Sequence, residues 1–255
     1  MEPRSAGYFY VRPKENSDYR AMRDQQIIIV GGTGSIGLAA AELLSSQGAR
    51  VAITGRNVEK LASAAKRIPN LRTYRCEITE EASVRETFSA FDRIDHVVVL
   101  AGSSSGGRIV DSPAAALRFV IEERIWGPVY AVQAAVPKMR HGSITLTSGL
   151  LSGRPPENGA AILVAALAGV EGLARALARE LAPIRVNAIN FGWVRSSRHN
   201  FMGGQQESHY ERVGRTLPIG RVAEPHEGAH AILFALTNEY LTGEVLHLDG
   251  GARLV

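Results

Sequence analysis

A glycine-rich turn near the amino terminus constrains the fold of this chain more than any other feature. The unbroken apolar run at 27–30 leads into glycines at positions 31, 32, 34 and 37, and the last three fit the pattern G-x-G-x-x-G. A short apolar run that ends in glycines is typical of a strand buried on both faces of a sheet. The segment from Leu38 to Gln47 follows with the composition of a helix. The sequence therefore predicts a strand, a tight turn and a helix that packs back on the strand.

The rest of the chain repeats this alternation of short apolar runs and helical patterns. Further strands are predicted at 50–54, 71–78, 96–102, 143–148, 184–190 and 244–248. Helices are predicted at 58–67, 80–91, 158–181 and 225–237, with one long helix or two shorter ones within 113–139. This alternation predicts an α/β fold, a Rossmann-type doubly wound parallel sheet of about seven strands with helices on both faces.

The composition also predicts how the chain is divided. No linker or change of composition interrupts it after residue 25, so residues 25–255 are expected to form a single domain. Residues 1–24 are polar apart from an aromatic cluster at 8–10 and are expected to be an N-terminal extension. This extension is either a flexible tail or a segment that packs on a neighbouring subunit or over the active site.

Charge and composition exclude several kinds of partner. The formal net charge is +4, and the basic residues are spread along the chain without the stripe that a nucleic acid requires, so no nucleic-acid partner is expected. No apolar run reaches the ~18 residues of a membrane span, so no membrane partner is expected. Cys76 is the one cysteine and cannot form a disulfide within the chain. A reducing, cytoplasmic location is therefore the expectation.

The glycine-rich turn has the pattern of a dinucleotide-binding site. In such a turn the first glycine allows the sharp bend, the second lets the backbone approach a pyrophosphate, and the third lets the helix pack against the strand. The pyrophosphate then lies at the helix N-terminus, where unpaired N–H groups and the helix dipole favour an anion. The alternative is a glycine-rich turn without a ligand, but its place between a strand and a helix favours the dinucleotide.

The end of the second predicted strand indicates which dinucleotide binds. A site for NAD has Asp or Glu there, about 20 residues past the turn, to hold the ribose 2′-hydroxyl. This chain has Gly55, Arg56 and Asn57 instead, so no carboxylate repels a 2′-phosphate. The planar guanidinium of Arg56 is suited to that phosphate. The sequence thus predicts NADP(H), with Arg56 as an ordinary surface charge as the competing interpretation.

From about residue 25 to 255 the chain resembles the short-chain dehydrogenase/reductase family. The resemblance is carried, in order, by GGTGSIG, TGRN, CEIT, LAG, ITLTSG, ELAPIRVNAINFGWV, PIGRVAEPHEGAHAILF and TGEVLHLDGG. It implies a small-molecule substrate and assembly into a homodimer or homotetramer. With the turn itself, it also implies a set of cofactor-binding residues, which are Gly31, Thr33, Gly34, Ser35, Ile36, Gly37, Arg56, Glu77, Ile78, Ala101, Gly102, Val194 and Ser196.

The resemblance breaks down at the residues that would transfer the proton. The family has a Tyr as proton donor and a Lys four residues later, and these positions fall on Leu163 and Leu167. No Tyr occurs between Tyr130 and Tyr210, so no small shift of register restores it. Because hydride transfer to a carbonyl builds negative charge on oxygen, another donor has to meet that charge. The sequence therefore predicts an atypical member that lacks the Tyr-x-x-x-Lys pair.

Two residues, Ser148 and Arg124, are the predicted catalytic groups. The family's serine falls on Ser148, or on Gly149 if the register is shifted by one. Arg124 takes the place of the family's asparagine and can stabilise an oxyanion or bind an acidic substrate, although its high pKa makes it a poor proton donor. The alternative is that Arg124 pairs with a neighbouring glutamate. His199, in the polar segment that matches the family's lid over the substrate, is a weaker candidate acid.

Three functions fit these residues. The first is an NADP(H)-dependent oxidoreductase, a reductase of a small organic carbonyl, imine or conjugated substrate, with a non-standard proton donor. The second is a non-redox cyclase, isomerase or dehydratase that uses the bound cofactor as a scaffold. The third is a catalytically inactive cofactor-binding protein. The turn is compatible with all three, and the first is the prediction.

Overall fold

A parallel β-sheet organises the protein, as seen in a computed structural model that describes residues 22–103, 106–157, 159–196 and 204–255. Its strands are β1 (Gln26–Val30), β2 (Arg50–Gly55), β3 (Arg72–Arg75), β4 (His96–Val99), β5 (Ser143–Gly149), β6 (Arg185–Phe191) and β7 (Val245–Leu248). They pair in the order β3-β2-β1-β4-β5-β6-β7, and every pair is parallel. This order confirms the predicted doubly wound sheet of seven strands.

Helices cover both faces of the sheet. They are α1 (Ser35–Ser46), α2 (Val58–Arg67), α3 (Glu81–Ser89), α4 (Ala114–Ile121), α5 (Gly127–Ala135), α6 (Ala161–Glu180), α7 (Gln206–Gly214) and α8 (Pro225–Thr237). Buried side chains of α1, α2 and α8 form one core with the sheet. Buried side chains of α3, α5 and α6 form the other core on the opposite face.

Two helix starts differ from the predicted ones for local reasons. Helix α1 begins at Ser35 rather than Leu38, because Gly34 takes the extended N-cap conformation and the helix follows at once. Helix α6 begins at Ala161 rather than at 158. Gly159 and Ala160 have φ values of +134° and +74°, and neither conformation belongs to a right-handed helix. The folded part of the chain also starts before residue 25, since Met22 is buried in the core.

The segment predicted as one long helix or two is two helices joined by a π-helical turn at Glu122–Trp126. A π-helical turn adds one residue to the i→i+4 repeat and is found often at functional sites. It separates α4 from α5 without breaking the chain direction. Glu123 and Arg124 lie in this turn and are both buried.

Among the described residues, helix α6 is long and apolar enough to cross a membrane by length and composition alone, with a mean hydropathy of 1.8. This differs from the expectation that no segment reaches that length. The helix packs against β5, β6 and α4, and six of its side chains are buried: Leu163, Ala166, Leu167, Val170, Ala174 and Leu177. Packing in the core therefore accounts for its apolar composition.

Candidate active site

The glycine-rich turn lies at the carboxyl end of β1, where the strand order changes direction between β1 and β4. In parallel α/β sheets, ligands bind in the crevice at such a switch point. Gly31 has φ of +79°, and a Cβ added there would lie 2.6 Å from the backbone nitrogen of Ala101. A Cβ added at Gly37 would lie 2.6 Å from the Cα of Gly32. These glycines allow the turn to pack against the end of β4 and helix α1 to pack against the turn.

Gly34 has a different environment from the other glycines of the turn. It is exposed, and the nearest atom to a Cβ added there is the Gly31 carbonyl oxygen at 4.0 Å. Gly34 is also the N-cap of α1, which has no side-chain cap and no acidic residue in its first turn. The N-terminus of α1 therefore presents exposed backbone at Gly34, with open space where a side chain would lie. This geometry suits a pyrophosphate, because the anion would cap the helix.

Two further turn residues pack against neighbouring elements. The side chain of Thr33 lies against Gly55 at the end of β2, where a Cβ would be 3.1 Å from Thr33 Oγ1. Ile36 packs against Gly228 of α8, with Cγ2 3.0 Å from the position of a Cβ there. These contacts fix the turn between β2 on one side and α8 on the other.

Arg56 and Glu77 lie at the carboxyl ends of β2 and β3. Arg56 Nη1 is 3.7 Å from Glu77 Oε2, too far for a hydrogen bond, and 61% of the arginine side chain is exposed. Glu77 Oε1 accepts hydrogen bonds from Thr79, at 2.9 Å from Oγ1 and 3.3 Å from the backbone nitrogen. Ile78 is buried against Gly127 of α5. The guanidinium therefore has freedom to turn toward a phosphate, whereas Glu77 and Ile78 are held in place.

Arg124 reaches the loop that follows β4. Its guanidinium packs so closely over Gly102 that a Cβ at this position would overlap it. The arginine donates two hydrogen bonds to the carbonyl oxygen of Ser103, one from Nη2 and one from Nε, the latter at 3.1 Å. Glu123, the preceding residue, accepts hydrogen bonds from the nitrogen and the hydroxyl of Ser103 at 2.5 and 2.6 Å. The π-helical turn thus holds Ser103 from both sides and places a buried cation beside the glycine turn.

A cavity of about 370 Å³ lies between the glycine turn, Arg124 and the end of β5. Its walls are mainly apolar, and Arg124 is the one charged side chain among the described residues that line it. Leu163 and Leu167 are only 3% and 4% exposed and belong to an apolar cluster with Val120 and Ala166. The cavity therefore presents a mainly apolar surface of defined shape, with the positive charge of Arg124 at one point.

Ser148 lines this cavity at the end of β5 and belongs to a polar network that the sequence did not reveal. Its Oγ is 2.8 Å from Glu171 Oε1 and 3.1 Å from the carbonyl oxygen of Leu167. Glu171 Oε1 also accepts from Ser152 Oγ and Asn190 Nδ2, both at 2.7 Å. A signal was present, because positions 163, 167 and 171 are four apart and share one face of a helix.

The neighbouring Gly149 also lines the cavity. A Cβ added there would lie 3.7 Å from Leu167 Cδ1, with no closer contact than 3.6 Å. Both positions that the resemblance allows for the family's serine therefore border the cavity.

The segment after β6 also lines the cavity. Val194 forms a parallel bridge with Ala223, and Tyr210 binds the backbone nitrogen of Ser196 through its hydroxyl at 3.0 Å. Trp193 lines the cavity and is 5.5 Å from the ring of His209 in an edge-on contact. His199 lies outside the described residues.

Comparison with known proteins identifies the family. A family model described as "Enoyl-(Acyl carrier protein) reductase" matches residues 31–253. The chain belongs to the short-chain dehydrogenase/reductase family. Within this family of oxidoreductases, "Carbonyl reductase family member 4" of Danio rerio is 32% identical over 237 residues, which are 89% of this chain and 98% of the relative.

Solved structures of the family have the same fold over nearly the whole chain. "A small-chain dehydrogenase in complex with NADPH" is 31% identical with a TM-score of 0.78, and the match covers 91% of this chain and 100% of the other. The "MalC Reductase/Diels-Alderase" of Malbranchea aurantiaca is 25% identical with a TM-score of 0.86, covering 93% and 99%. The seven-stranded sheet described above is therefore the sheet of the short-chain dehydrogenases/reductases.

Proposed function

We propose that this protein is an NADP(H)-dependent oxidoreductase that reduces a small apolar carbonyl, imine or conjugated compound. The observation that carries the proposal is the exposed Gly34 at the N-terminus of α1, which has no side-chain cap and lies in the wall of a cavity of suitable size. A neighbour in complex with NADPH and a relative named as a carbonyl reductase support it. Residues 25–255 would form one cofactor-binding domain.

The preference for NADP(H) rests on the end of β2. No carboxylate follows this strand, since the chain continues with Arg56 and Asn57. Arg56 is largely exposed and not within hydrogen-bond distance of Glu77, so binding a phosphate would not require breaking a strong ion pair. A bidentate contact between the guanidinium and a 2′-phosphate is the geometry that arginine favours.

The proposed reaction does not use the family's Tyr-x-x-x-Lys pair. Leu163 and Leu167 occupy those two positions, and neither side chain can donate a proton. We assign Arg124 to the substrate oxygen, because a fixed cation in the wall of a mainly apolar cavity stabilises developing negative charge. We assign Ser148 as a hydrogen-bonding group at the end of β5. Conjugated or iminium-like acceptors fit this site best, since they need less help from an acid than a simple ketone.

The test is NADPH consumption, followed by absorbance of the reduced nicotinamide, with a panel of aromatic carbonyl, imine and quinone acceptors. We expect turnover with at least one acceptor and a loss of about 100-fold in kcat for Arg124→Ala, comparable to removing one oxyanion-hole donor. The matched control is Arg118→Ala, which removes an exposed arginine of the adjacent helix α4 and should leave kcat unchanged. Equal kcat in wild type and Arg124→Ala would refute the assignment of Arg124.

A second candidate is a cyclase that keeps the cofactor as a scaffold. The neighbour named as a "Reductase/Diels-Alderase" favours it, together with the apolar walls of the cavity. A cycloaddition needs a shaped, water-excluding surface rather than a proton donor, and Leu163 and Leu167 contribute to such a surface. Product formed from a diene substrate without NADPH consumption would support this candidate over the reductase. NADPH binding without chemistry on any substrate would support an inactive binding protein.

Assembly into a homodimer or homotetramer is also proposed. Phe119 in α4 and Trp126 at the end of the π-helical turn are 41% and 46% exposed, and we propose that this surface contacts a second copy of the chain. Sedimentation velocity of the purified chain measures the state directly.

A further inference from the structure

Glu171 is a carboxylate that the family resemblance did not assign to the site. It lies two turns along α6 from Leu163 and one turn from Leu167. One of its oxygens accepts hydrogen bonds from two serines and an asparagine on two different strands and a loop: Ser148, Ser152 and Asn190, at 2.8, 2.7 and 2.7 Å. Three donors converging on one oxygen hold the carboxylate in a single orientation.

The two ends of this network face different environments. Ser148 is 5% exposed and lines the cavity, whereas Glu171 does not line it and is only partly buried. The pair therefore forms a two-group path from the cavity to the protein surface. Ser148 has one hydroxyl proton, and in the resting state the ionised Glu171 is its stronger acceptor, since charge-assisted hydrogen bonds are the stronger ones.

We propose that Glu171 acts through Ser148 as a proton relay that replaces the missing Tyr and Lys. This inference rests on the oxidoreductase function proposed above and identifies the non-standard proton donor. A serine alone is a weak acid at neutral pH. A serine that receives a proton from a carboxylic acid as it gives its own away never becomes an alkoxide, and this makes it a competent donor.

Reduction of a carbonyl adds one hydride and one proton to the substrate. Bound NADPH would supply the hydride to the carbonyl carbon, and the C=O π electrons would move to the oxygen. That oxygen takes the hydroxyl proton of Ser148, while Ser148 takes the carboxyl proton of Glu171. The products are an alcohol, NADP⁺ and ionised Glu171, which regains one proton from solvent. The reverse sequence oxidises an alcohol and delivers its hydroxyl proton to solvent through the same two groups.

The electrostatics of Glu171 set the direction of the pH dependence. Burial raises the pKa of Glu171, but hydrogen bonds from Ser152, Ser148 and Asn190 together outweigh it and leave the pKa below its ordinary value of 4.5. His247 of β7 makes a smaller contribution that also lowers the pKa of Glu171. Reduction requires the protonated form, so kcat for reduction rises as the pH falls. Oxidation requires the ionised form, so kcat for oxidation falls as the pH approaches the pKa from above.

The test compares Glu171→Gln with wild type in stopped-flow NADPH oxidation between pH 5 and 9. Glutamine keeps the size and one acceptor oxygen but carries no transferable proton. We expect kcat to fall at least tenfold, its rise toward acid pH to disappear, and the Kd for NADPH to stay unchanged. Glu180→Gln, an exposed glutamate on the same helix, is the matched control and should behave as wild type. Thermal unfolding of each variant verifies folding.

A second measurement separates a relay from independent contributions. If Ser148 and Glu171 act as one unit, the double variant Ser148→Ala/Glu171→Gln loses no more activity than Ser148→Ala alone. Multiplied losses in the double variant would overturn the relay.

The remaining outcomes distinguish this inference from the proposed function. Wild-type NADPH turnover with the same kcat and pH profile in Glu171→Gln would overturn the relay and leave the oxidoreductase function intact. NADPH binding without oxidation by any acceptor in wild type would overturn both.

Discussion

Strand β5 carries a serine at each end, and the two serines lie in contrasting surroundings. Ser143, at the amino end, is fully buried and its Oγ is 2.8 Å from Nδ1 of His96. The other ring nitrogen of His96, Nε2, is 2.6 Å from Oε1 of Gln25. Because an amide oxygen only accepts, Nε2 carries the ring proton and Nδ1 accepts from the serine. This network is closed and neutral.

Ser148, at the carboxyl end of the same strand, belongs to an open and charged network. It borders the cavity, and its partner Glu171 is ionised at neutral pH because its pKa lies below the ordinary value. The two serines show that the role of a polar residue on this strand depends on the edge of the sheet at which it lies. The amino edge holds the fold together, whereas the carboxyl edge is available for a ligand.

The largest effect expected at the amino edge is a pH dependence of stability. Burial, together with a smaller contribution from Arg185, lowers the pKa of His96 from 6.5 to about 4. Between these values the unfolded chain binds a proton that the folded chain does not, so stability is full above pH 6.5 and falls as the pH drops toward 4. The loss amounts to roughly 3 kcal/mol in the free energy of unfolding.

Urea unfolding at several pH values tests this expectation. His96→Asn, which cannot titrate, should be less stable at pH 7 but should lose most of the slope between pH 6.5 and 4. His141→Asn, an exposed histidine at the same edge, should keep the wild-type slope. Parallel slopes for wild type and His96→Asn would show that another group is responsible.

Alanine at each serine gives the most direct comparison of the two edges. Ser143→Ala leaves Nδ1 of His96 buried without its donor, so we expect a loss of about 1–3 kcal/mol in the free energy of unfolding and no change in NADPH turnover. Ser148→Ala should show the reverse, a loss of at least about tenfold in kcat with unfolding energy changed by less than about 1 kcal/mol. If both variants lose stability and neither loses NADPH turnover, the proposed difference between the two edges of the sheet is wrong.

Smaller effects are expected from removing one arginine at each edge of the sheet. Arg56→Ala, at the carboxyl edge, should weaken NADPH binding about tenfold, or 1.4 kcal/mol, and leave NADH binding nearly unchanged. Arg93→Ala, at the amino edge, removes a partner 2.8 Å from the buried Asp95 and should lower stability by roughly 1 kcal/mol with no effect on the Kd for NADPH. Fluorescence titration of both cofactors measures the difference. Equal weakening of NADPH and NADH by Arg56→Ala would contradict the preference for NADP(H).

The fold was largely predictable because its signals are local. Each buried strand is a short apolar run, and each run is followed by a helical repeat, so the order of elements could be read directly. The helix starts were harder to predict. The left-handed conformations of Gly159 and Ala160 delay α6, and they depend on a loop that packs against residues 107 and 108. The π-helical turn at Glu122–Trp126 leaves no signal, since its residues continue a helical pattern.

Some residues of the candidate site could likewise be predicted and others could not. The glycines of the turn could be predicted from their spacing, because the backbone conformation of the turn requires them. For Glu171 the spacing predicts only the helix face it shares with 163 and 167, because its contact with Ser148 depends on how α6 packs against β5 and β6. The sequence places Ser148 and Glu171 23 positions apart. Only the packing of the helix on the sheet brings their oxygen atoms within 2.8 Å.

The contact between Gly102 and Arg124 restricts the routes by which this site can change during evolution. A side chain at 102 collides with the guanidinium, and the φ value of +148° at 102 already disfavours any residue but glycine. The backbone conformation at 102 therefore favours glycine whichever residue occupies 124, and the guanidinium of Arg124 lies in the space that this glycine leaves. Ancestral reconstruction should find glycine at 102 before arginine appears at 124.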